Sequence, residues 1–155
     1  MAGTVVADTL QAASTSTLVL KNGVANTPPT IQDSAGTQIG TFCRAWVNFD
    51  GTGTFSPNPS TTKIRASFNV SSITDNGTGD YTVNFTNAMP DANYSVVISN
   101  TVTAAYAALV VGNIAANRTG AVVQAPTTSN TRASFVNPST GNAFDIEYVC
   151  VSIFR

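Results

Sequence analysis

The amino-acid sequence predicts an all-β protein whose main part is an antiparallel β-sandwich domain. Short segments of alternating apolar and polar residues recur along the chain, and clusters of Gly, Asn, Pro and Asp separate them, as is typical of strands and turns. The polar residues are mostly Ser, Thr and Asn, which favour strands and turns over helices. Hydrophobic residues form 43% of the 155-residue chain, enough to fill the core of one domain.

The chain carries few charges. Only 10% of its residues are charged and the formal net charge is −1, so neither nucleic acid nor an acidic membrane is expected to attract it strongly. A surface with so little electrostatic repulsion suits a protein packed in a complex better than a free monomer. No apolar run approaches the roughly 20 residues that cross a bilayer, and the start of the chain lacks a signal-peptide pattern. We therefore expect a protein made in the cytoplasm that functions in an assembly and does not insert into a membrane.

Residues 1–40 form the first predicted unit, and residues 41–155 form the second. In the first unit the apolar segments are short, and turn-forming pairs such as Asn22-Gly23 and Pro28-Pro29 separate them. Such a stretch buries too little apolar surface to fold alone. We expect an anchor or stalk that is ordered by packing against copies of itself or against a partner, with a flexible tail as the alternative.

From residue 41 the segments lengthen and alternate more cleanly, beginning with a predicted strand at residues 42–49. One face of this strand carries Cys43, Ala45, Val47 and Phe49, and the other carries Phe42, Arg44, Trp46 and Asn48. The first face is predicted to be core. Further strands are predicted at residues 64–70, 81–85, 94–100, 109–115, 121–124, 132–136 and 144–154. The last strand is expected to pair with the first. Residues 103–111 are the best helix candidate, although their neighbours favour strand.

Residues 75–80, with the sequence Asp-Asn-Gly-Thr-Gly-Asp, lie between two β-rich segments. The Asn76-Gly77 pair supplies the positive φ angles of a tight turn, which predicts a hairpin. Oxygen atoms of Asp75, Asn76 and Asp80 would also suit a calcium ion. The spacing lacks the alternate ligands and the later Glu of an EF-hand loop, so we favour the hairpin.

Catalytic signals are weak. The chain contains no histidine, the commonest general base and metal ligand. Most of its eight carboxylates lie in predicted turns, where Asp is favoured by local hydrogen bonding. Asp145 and Glu147 would share one face of the last strand, but their spacing does not indicate the paired carboxylates of a glycosidase. We predict a non-enzymatic protein that uses no cofactor and no metal.

The two cysteines, Cys43 and Cys150, lie in the two strands that are expected to be neighbours. Their spacing matches no zinc or redox motif. In a protein made in the cytoplasm we expect two buried free thiols, and a disulfide formed in an oxidising environment is the alternative.

Trp46, together with Arg44 and Asn48, is the candidate contact site on the outward face of the first strand. A tryptophan ring beside hydrogen-bonding groups suits a sugar ring. Trp is also enriched at interfaces between subunits. We favour packing against the sheet or a neighbouring subunit over sugar binding.

Four segments carry a resemblance to a module of tailed bacteriophages. They are AWVNFDGTG at residues 45–53, IRASFNVSSI at 64–73, TDNGTGDYTVNF at 74–85 and VCVSIFR at 149–155. The chain resembles, over about residues 41–155, the C-terminal domain of fibre-like virion proteins of marine and cyanobacterial phages. That family is not defined by a catalytic motif, so no active residue is carried over.

The resemblance implies a β-rich head on a homotrimer that is attached to the virion by its N-terminal region. The expected function is that of a short trimeric tail fibre involved in host-cell adsorption, and the expected partners are other copies, other virion proteins and a host surface glycan. Few residues precede the head and there is no extended shaft. A head fibre or decoration protein of the capsid is therefore the alternative.

Overall fold

The computed structural model of the protein describes residues 31–101, 111–114, 124–137 and 140–155. These residues form ten strands, and every strand pair is antiparallel. The strands are β1 (Ile31–Gln32), β2 (Gln38–Gly40), β3 (Cys43–Phe49), β4 (Ile64–Phe68), β5 (Val70–Gly77), β6 (Asp80–Phe85), β7 (Ser95–Asn100), β8 (Val111–Ile114), β9 (Asn130–Val136) and β10 (Val149–Phe154). For the described residues the all-β, antiparallel prediction is confirmed, and the architecture is consistent with a β-sandwich.

Two four-stranded sheets make up the main body. One has the strand order β4-β3-β10-β7 and is called the Trp46 sheet; the other has the order β5-β6-β9-β8 and is called the Tyr81 sheet. The expected pairing of the first and last strands of the domain is confirmed, because β3 and β10 are central neighbours in the Trp46 sheet, with Val47 opposite Val151.

The core lies between the inward faces of the two sheets. On β3 the alternate residues Ala45, Val47 and Phe49 are buried, as the sequence pattern predicts, while Cys43 is only half-buried. The other buried core residues in the strands are Val70 and Ile73 of β5, Tyr81, Val83 and Phe85 of β6, Ala133 and Phe135 of β9, and Val149, Val151 and Ile153 of β10. Period-two alternation on the central strands therefore fixes which side chains enter the core.

The predicted strand at residues 64–70 is two strands instead of one. It breaks at Asn69, whose φ of 55° lies in the left-handed region, and the chain crosses there from β4 in the Trp46 sheet to β5 in the Tyr81 sheet. The Asn69 Nδ2 atom donates to the carbonyls of Arg44 and Asn87, both at 3.1 Å, and its Oδ1 atom accepts from the Asn87 amide at 2.8 Å. Asn tolerates this conformation better than most residues.

The predicted strand at residues 144–154 is too long by five residues, because regular pairing begins only at Val149. Asp145 leaves the strand path: its Oδ1 atom accepts a hydrogen bond from the Gly79 amide at 2.7 Å and another from the Tyr81 hydroxyl at 2.7 Å. The expectation that Asp145 and Glu147 share one strand face is therefore wrong.

The predicted hairpin at residues 75–80 is confirmed. Strands β5 and β6 pair with each other as far as Gly77 and Asp80. The positive φ angles lie at Gly77 and Gly79, whereas Asn76 belongs to β5 and donates from its side chain to Thr82 Oγ1 at 2.9 Å.

A second, smaller hairpin precedes the main body. Strands β1 and β2 pair with each other, and the Asp33 carboxylate accepts from the amides of Ala35 and Thr37 in the turn between them. The rest of the predicted anchor, residues 1–30, lies outside the described residues. So do residues 103–110 of the helix candidate and residues 121–123 of one predicted strand; Val111, the last residue of that candidate, lies in β8.

Candidate binding surface

The outward face of the Trp46 sheet carries a row of side chains that crosses all four strands. Trp46 on β3 lies opposite Phe68 on β4 and Ser152 on β10, and Ser152 lies opposite Val97 on β7. Side chains in directly opposed positions are immediate neighbours. Trp46 is 38% exposed, Phe68 55% and Val97 53%. The row is therefore a largely apolar surface, which we call the Trp46 face.

Arg44 and Asn48, the predicted companions of Trp46, lie on the same strand and are half-buried. Asn48 is opposite Ala66 on one side and Cys150 on the other. Arg44 lies where the register between β3 and β10 shifts, between Cys43 and Ala45. The sequence prediction missed Phe68 and Val97, because their place beside Trp46 depends on which strands are neighbours.

A polar cluster borders the Trp46 face beyond Asn48. The Arg65 guanidinium lies 4.0 Å from the centre of the Tyr148 ring and donates to the Glu147 carbonyl at 2.7 Å. It also forms a 3.7 Å ion pair with Asp50. Since one cation serves an aromatic face, a carbonyl and a carboxylate, this border is held in place by several weak interactions.

The Asp50 carboxyl shows how this border is organised. Its burial acts to raise its pKa, but hydrogen bonds from the Thr52 hydroxyl and amide and the charges of Lys63 and Arg65 outweigh burial. The net effect is a pKa below the ordinary value. Asp50 is therefore ionised near neutral pH, and its carboxylate accepts hydrogen bonds from Thr52 in the loop that follows β3.

The outward face of the Tyr81 sheet differs in chemistry. Asn84 donates from its side chain to Ser72 Oγ at 3.1 Å and to Thr74 Oγ1 at 3.0 Å, and Asn76 contacts Thr82 across the same two strands. These hydroxyl and amide groups satisfy one another and remain accessible to water. Of the two outward faces, the Trp46 face is the better candidate for binding.

The two cysteines are free and half-buried. Cys150 is opposite Asn48, while Cys43 is opposite Phe154 at the far end of the pair. Five residues separate Cys43 from Asn48 along β3, which corresponds to about 16 Å of extended strand. That distance exceeds the roughly 7 Å limit between the Cα atoms of a disulfide, so the two thiols of one chain do not bridge.

Most carboxylates of the described chain have structural partners. Asp80 is buried and forms a two-point ion pair with Arg132, in which Nε lies 2.6 Å from Oδ1, and these hydrogen bonds raise the pKa of the guanidinium. Five other carboxylates also have partners: Asp33 has Ala35 and Thr37, Asp50 has Thr52 and Arg65, Asp75 has Gly77, Asp91 has Asn93 and Arg155, and Asp145 has Gly79 and Tyr81. The proposed calcium ligands Asp75 and Asp80 therefore serve the turn amide and Arg132.

Within the described ranges, no group of three or more Cys, Asp or Glu side chains is arranged to hold a metal ion. The part of the chain that the structure describes also contains no helix with the length and apolar content of a membrane span.

In comparisons with known proteins, no family model, no curated protein and no solved structure matches the chain.

Proposed function

We propose that this chain is a structural protein of a tailed-bacteriophage virion, a short homotrimeric tail fibre that takes part in adsorption to the host cell. The observation that carries the proposal is the Trp46 face. It exposes Trp46, Phe68 and Val97 on regular strands, where a partner is required to remove this apolar surface from water.

The organisation of the chain supports the same proposal. The resembling segments at residues 45–53, 64–73, 74–85 and 149–155 contribute to β3, β4, β5, β6 and β10, which are five of the eight strands of the two sheets. The 43% hydrophobic, 10% charged composition fits a protein that is stabilised by packing in an assembly. Residues 1–40 are the proposed anchor to other virion proteins, and residues 41–155 the proposed head.

The second candidate is a head fibre or decoration protein of the capsid. In this role the exposed aromatic side chains contact the shell or neighbouring copies, and no host receptor is bound. The exposed isoleucines of the β1–β2 hairpin and the exposed Trp46 and Phe68 supply apolar surface for such contacts.

Cryo-electron microscopy of the intact particle that carries this chain tests the proposal. Three-chain spikes at the tail or baseplate are the expected result. Copies arranged with icosahedral symmetry on the capsid would reject the adsorption role and support the role of a capsid decoration protein. Absence of the chain from purified particles, checked by peptide mass spectrometry of the same sample, would reject both virion roles.

A further inference from the structure

The Trp46 face has the chemistry of a surface that is covered by an uncharged, apolar partner. The outward residues of its strands β4, β10 and β7 are Ala66, Phe68, Cys150, Ser152, Phe154, Ser95, Val97 and Ser99, and β3 adds Trp46 with the half-buried Arg44 and Asn48. A cationic partner would therefore meet no carboxylate among these residues and an anionic one only the charge of Arg44, and either would lose its own hydration on contact. Burial of apolar surface is the interaction that this face offers.

The same chain exposes a second apolar feature, the β1–β2 hairpin. Ile39 is 65% exposed and Ile31 42%. Both lie on strands of two and three residues, and a two-stranded hairpin is at best marginally stable without packing against another element. Asp33, the only charged residue of the hairpin, is turned into its own loop by bonds from two amides. The hairpin is thus also an apolar surface that the described residues leave exposed.

The hairpin ends at an anchored point beside the face. Thr41, which directly follows β2, donates from its hydroxyl to the Arg155 carbonyl at 2.8 Å, next to the end of β10. The exposure of Trp46, Phe68 and Val97 shows that the hairpin of the same copy does not cover them. An arm that is fixed at its base and extends from one end of a sheet is placed to reach another copy.

Simple face-to-face pairing of two copies would cover the Trp46 face but leave Ile31 and Ile39 of both hairpins in water. A head-to-tail contact gives each copy two interfaces, one through its hairpin and one through its face.

We propose that the β1–β2 hairpin of one copy packs onto the Trp46 face of the next copy, in a head-to-tail contact repeated around a closed ring. Contacts of this kind either close into rings or continue as filaments. Closure at three copies rests on the proposed function, whereas the contact between hairpin and face does not.

Cross-linking tests the contact directly. In the full-length Ile39→Cys variant, a short bismaleimide reagent should link the new thiol to the native Cys150 of the Trp46 face. An equal mixture of ¹⁴N-labelled and ¹⁵N-labelled copies should give linked peptides of mixed isotope composition. The matched control is Ser71→Cys, an exposed position on the Tyr81 sheet, which should give no link to Cys150. Pairs of unmixed isotopes alone, or links only between two Cys150 residues, would overturn the proposal.

Sedimentation of the full-length chain provides an independent measurement. Val97→Lys and Ile39→Lys should each raise the dissociation constant of the oligomer by about tenfold or more, because either one places a charge in an apolar contact. Ser71→Lys should leave it unchanged. Trp46 is the only tryptophan, so its emission should shift to longer wavelength as the oligomer dissociates on dilution. A wild-type chain that stays monomeric at micromolar concentration would overturn the contact, as would an oligomer that neither lysine weakens.

These results are separable from those on the virion. If the Ile39→Cys variant forms a trimer linked to Cys150 but the chain is absent from particles, the proposed function is rejected and the contact is kept. Tail spikes whose copies give no such link, either in solution or in the particle, would reject the contact and keep the proposed function. Binding of a soluble glycan that quenches Trp46 emission in the assembled oligomer would assign the Trp46 face to the host.

Discussion

At the scale of single residues, Tyr81 connects the core to two loops. Its side chain is fully buried, its ring centre lies 5.3 Å from that of Phe49 in an edge-on arrangement, and its hydroxyl contacts the Gly51 carbonyl at 2.6 Å and Asp145 Oδ1 at 2.7 Å. One phenol therefore fixes the loop after β3 and the segment before β10 against the Tyr81 sheet. Its hydroxyl is satisfied, as a buried polar group requires.

The buried phenol predicts a loss of stability at alkaline pH. Burial, and secondarily the hydrogen bond to Asp145, raise the pKa of Tyr81 well above its ordinary value. An unfolded tyrosine loses its proton near pH 10, while the folded one retains it. The stabilising contribution is thus complete below pH 10 and decreases by about 1.4 kcal/mol per pH unit above it.

Urea unfolding between about pH 9 and pH 11 measures this dependence. Tyr81→Phe should reduce the alkaline slope. It should not abolish it, because burial also raises the pKa of Tyr94. The reference variant is Tyr148→Phe, at an exposed position, which should retain the slope of the wild type. An unchanged slope in Tyr81→Phe would contradict the assignment.

Gly79 predicts a second residue-scale effect. A Cβ atom at this position would lie 2.7 Å from the carbonyl oxygens of Phe135 and Phe144. Gly141 has a similar φ, +71° against +64°, but nothing within 4 Å of its Cβ position. Both Gly→Ala substitutions carry the strain of a positive φ, about 1–2 kcal/mol. Only Gly79→Ala also forces backbone segments apart.

The free energy of unfolding of the two variants should therefore differ. Gly79→Ala should destabilise the protein by about 1–3 kcal/mol more than Gly141→Ala, as measured by urea unfolding. Equal losses would mean that the tip of the β5–β6 hairpin does not pack as closely against residues 135 and 144 as the structure shows.

At the scale of elements, Asn69 is the residue at which the chain crosses directly from β4 in the Trp46 sheet to β5 in the Tyr81 sheet. Asn69→Gly keeps the backbone conformation but removes three side-chain hydrogen bonds, so a loss of about 1–3 kcal/mol is expected. Asn69→Ala removes the same bonds and adds about 1–2 kcal/mol of strain at positive φ. Urea unfolding of both variants measures the difference. Identical stabilities would show that the left-handed conformation is not needed at the crossing.

The strands that the sequence predicts best are those with the strictest alternation. On β3 and β10 every second residue enters the core, so the faces of these two strands follow from parity alone. The break at Asn69 is hidden because residues 64–70 alternate without interruption in hydrophobicity. Only the backbone angle and long-range bonds to Asn87 end the strand. Residues 144–148 are β-rich, but the long-range bonds from Gly79 and Tyr81 to Asp145 override that propensity.

The candidate surface is predictable to the same extent. Parity places Trp46 on the outward face of β3, and the structure confirms that position. Phe68 and Val97 come from strands that are distant in sequence, and they join Trp46 only through the strand order β4-β3-β10-β7. The distance between the two thiols likewise depends on register, which the sequence of either strand alone does not define.

At the scale of the whole molecule, the core and the exposed hairpin are separate parts of the chain. Every buried core residue that the structure describes lies between Ala45 and Ile153, whereas the hairpin of residues 31–40 is exposed at nearly every position. Folding of the main body and association through the hairpin should therefore be independent. This independence is what the proposed division into an anchor and a head requires.

A chain that begins at Thr41 tests this division. It keeps every described core residue and the bond from Thr41 to the Arg155 carbonyl, so it should unfold cooperatively, with a β-type circular dichroism spectrum. It lacks the hairpin, so it should sediment as a monomer at micromolar concentration, with Trp46 emission matching that of the dissociated full-length Val97→Lys variant. The Val97→Lys variant is the control, because it keeps residues 1–40 and loses the contact through its substitution on the Trp46 face. A truncated chain that still associates would place the interface within residues 41–155, and one that fails to fold would show that residues 1–40 are part of the folding unit.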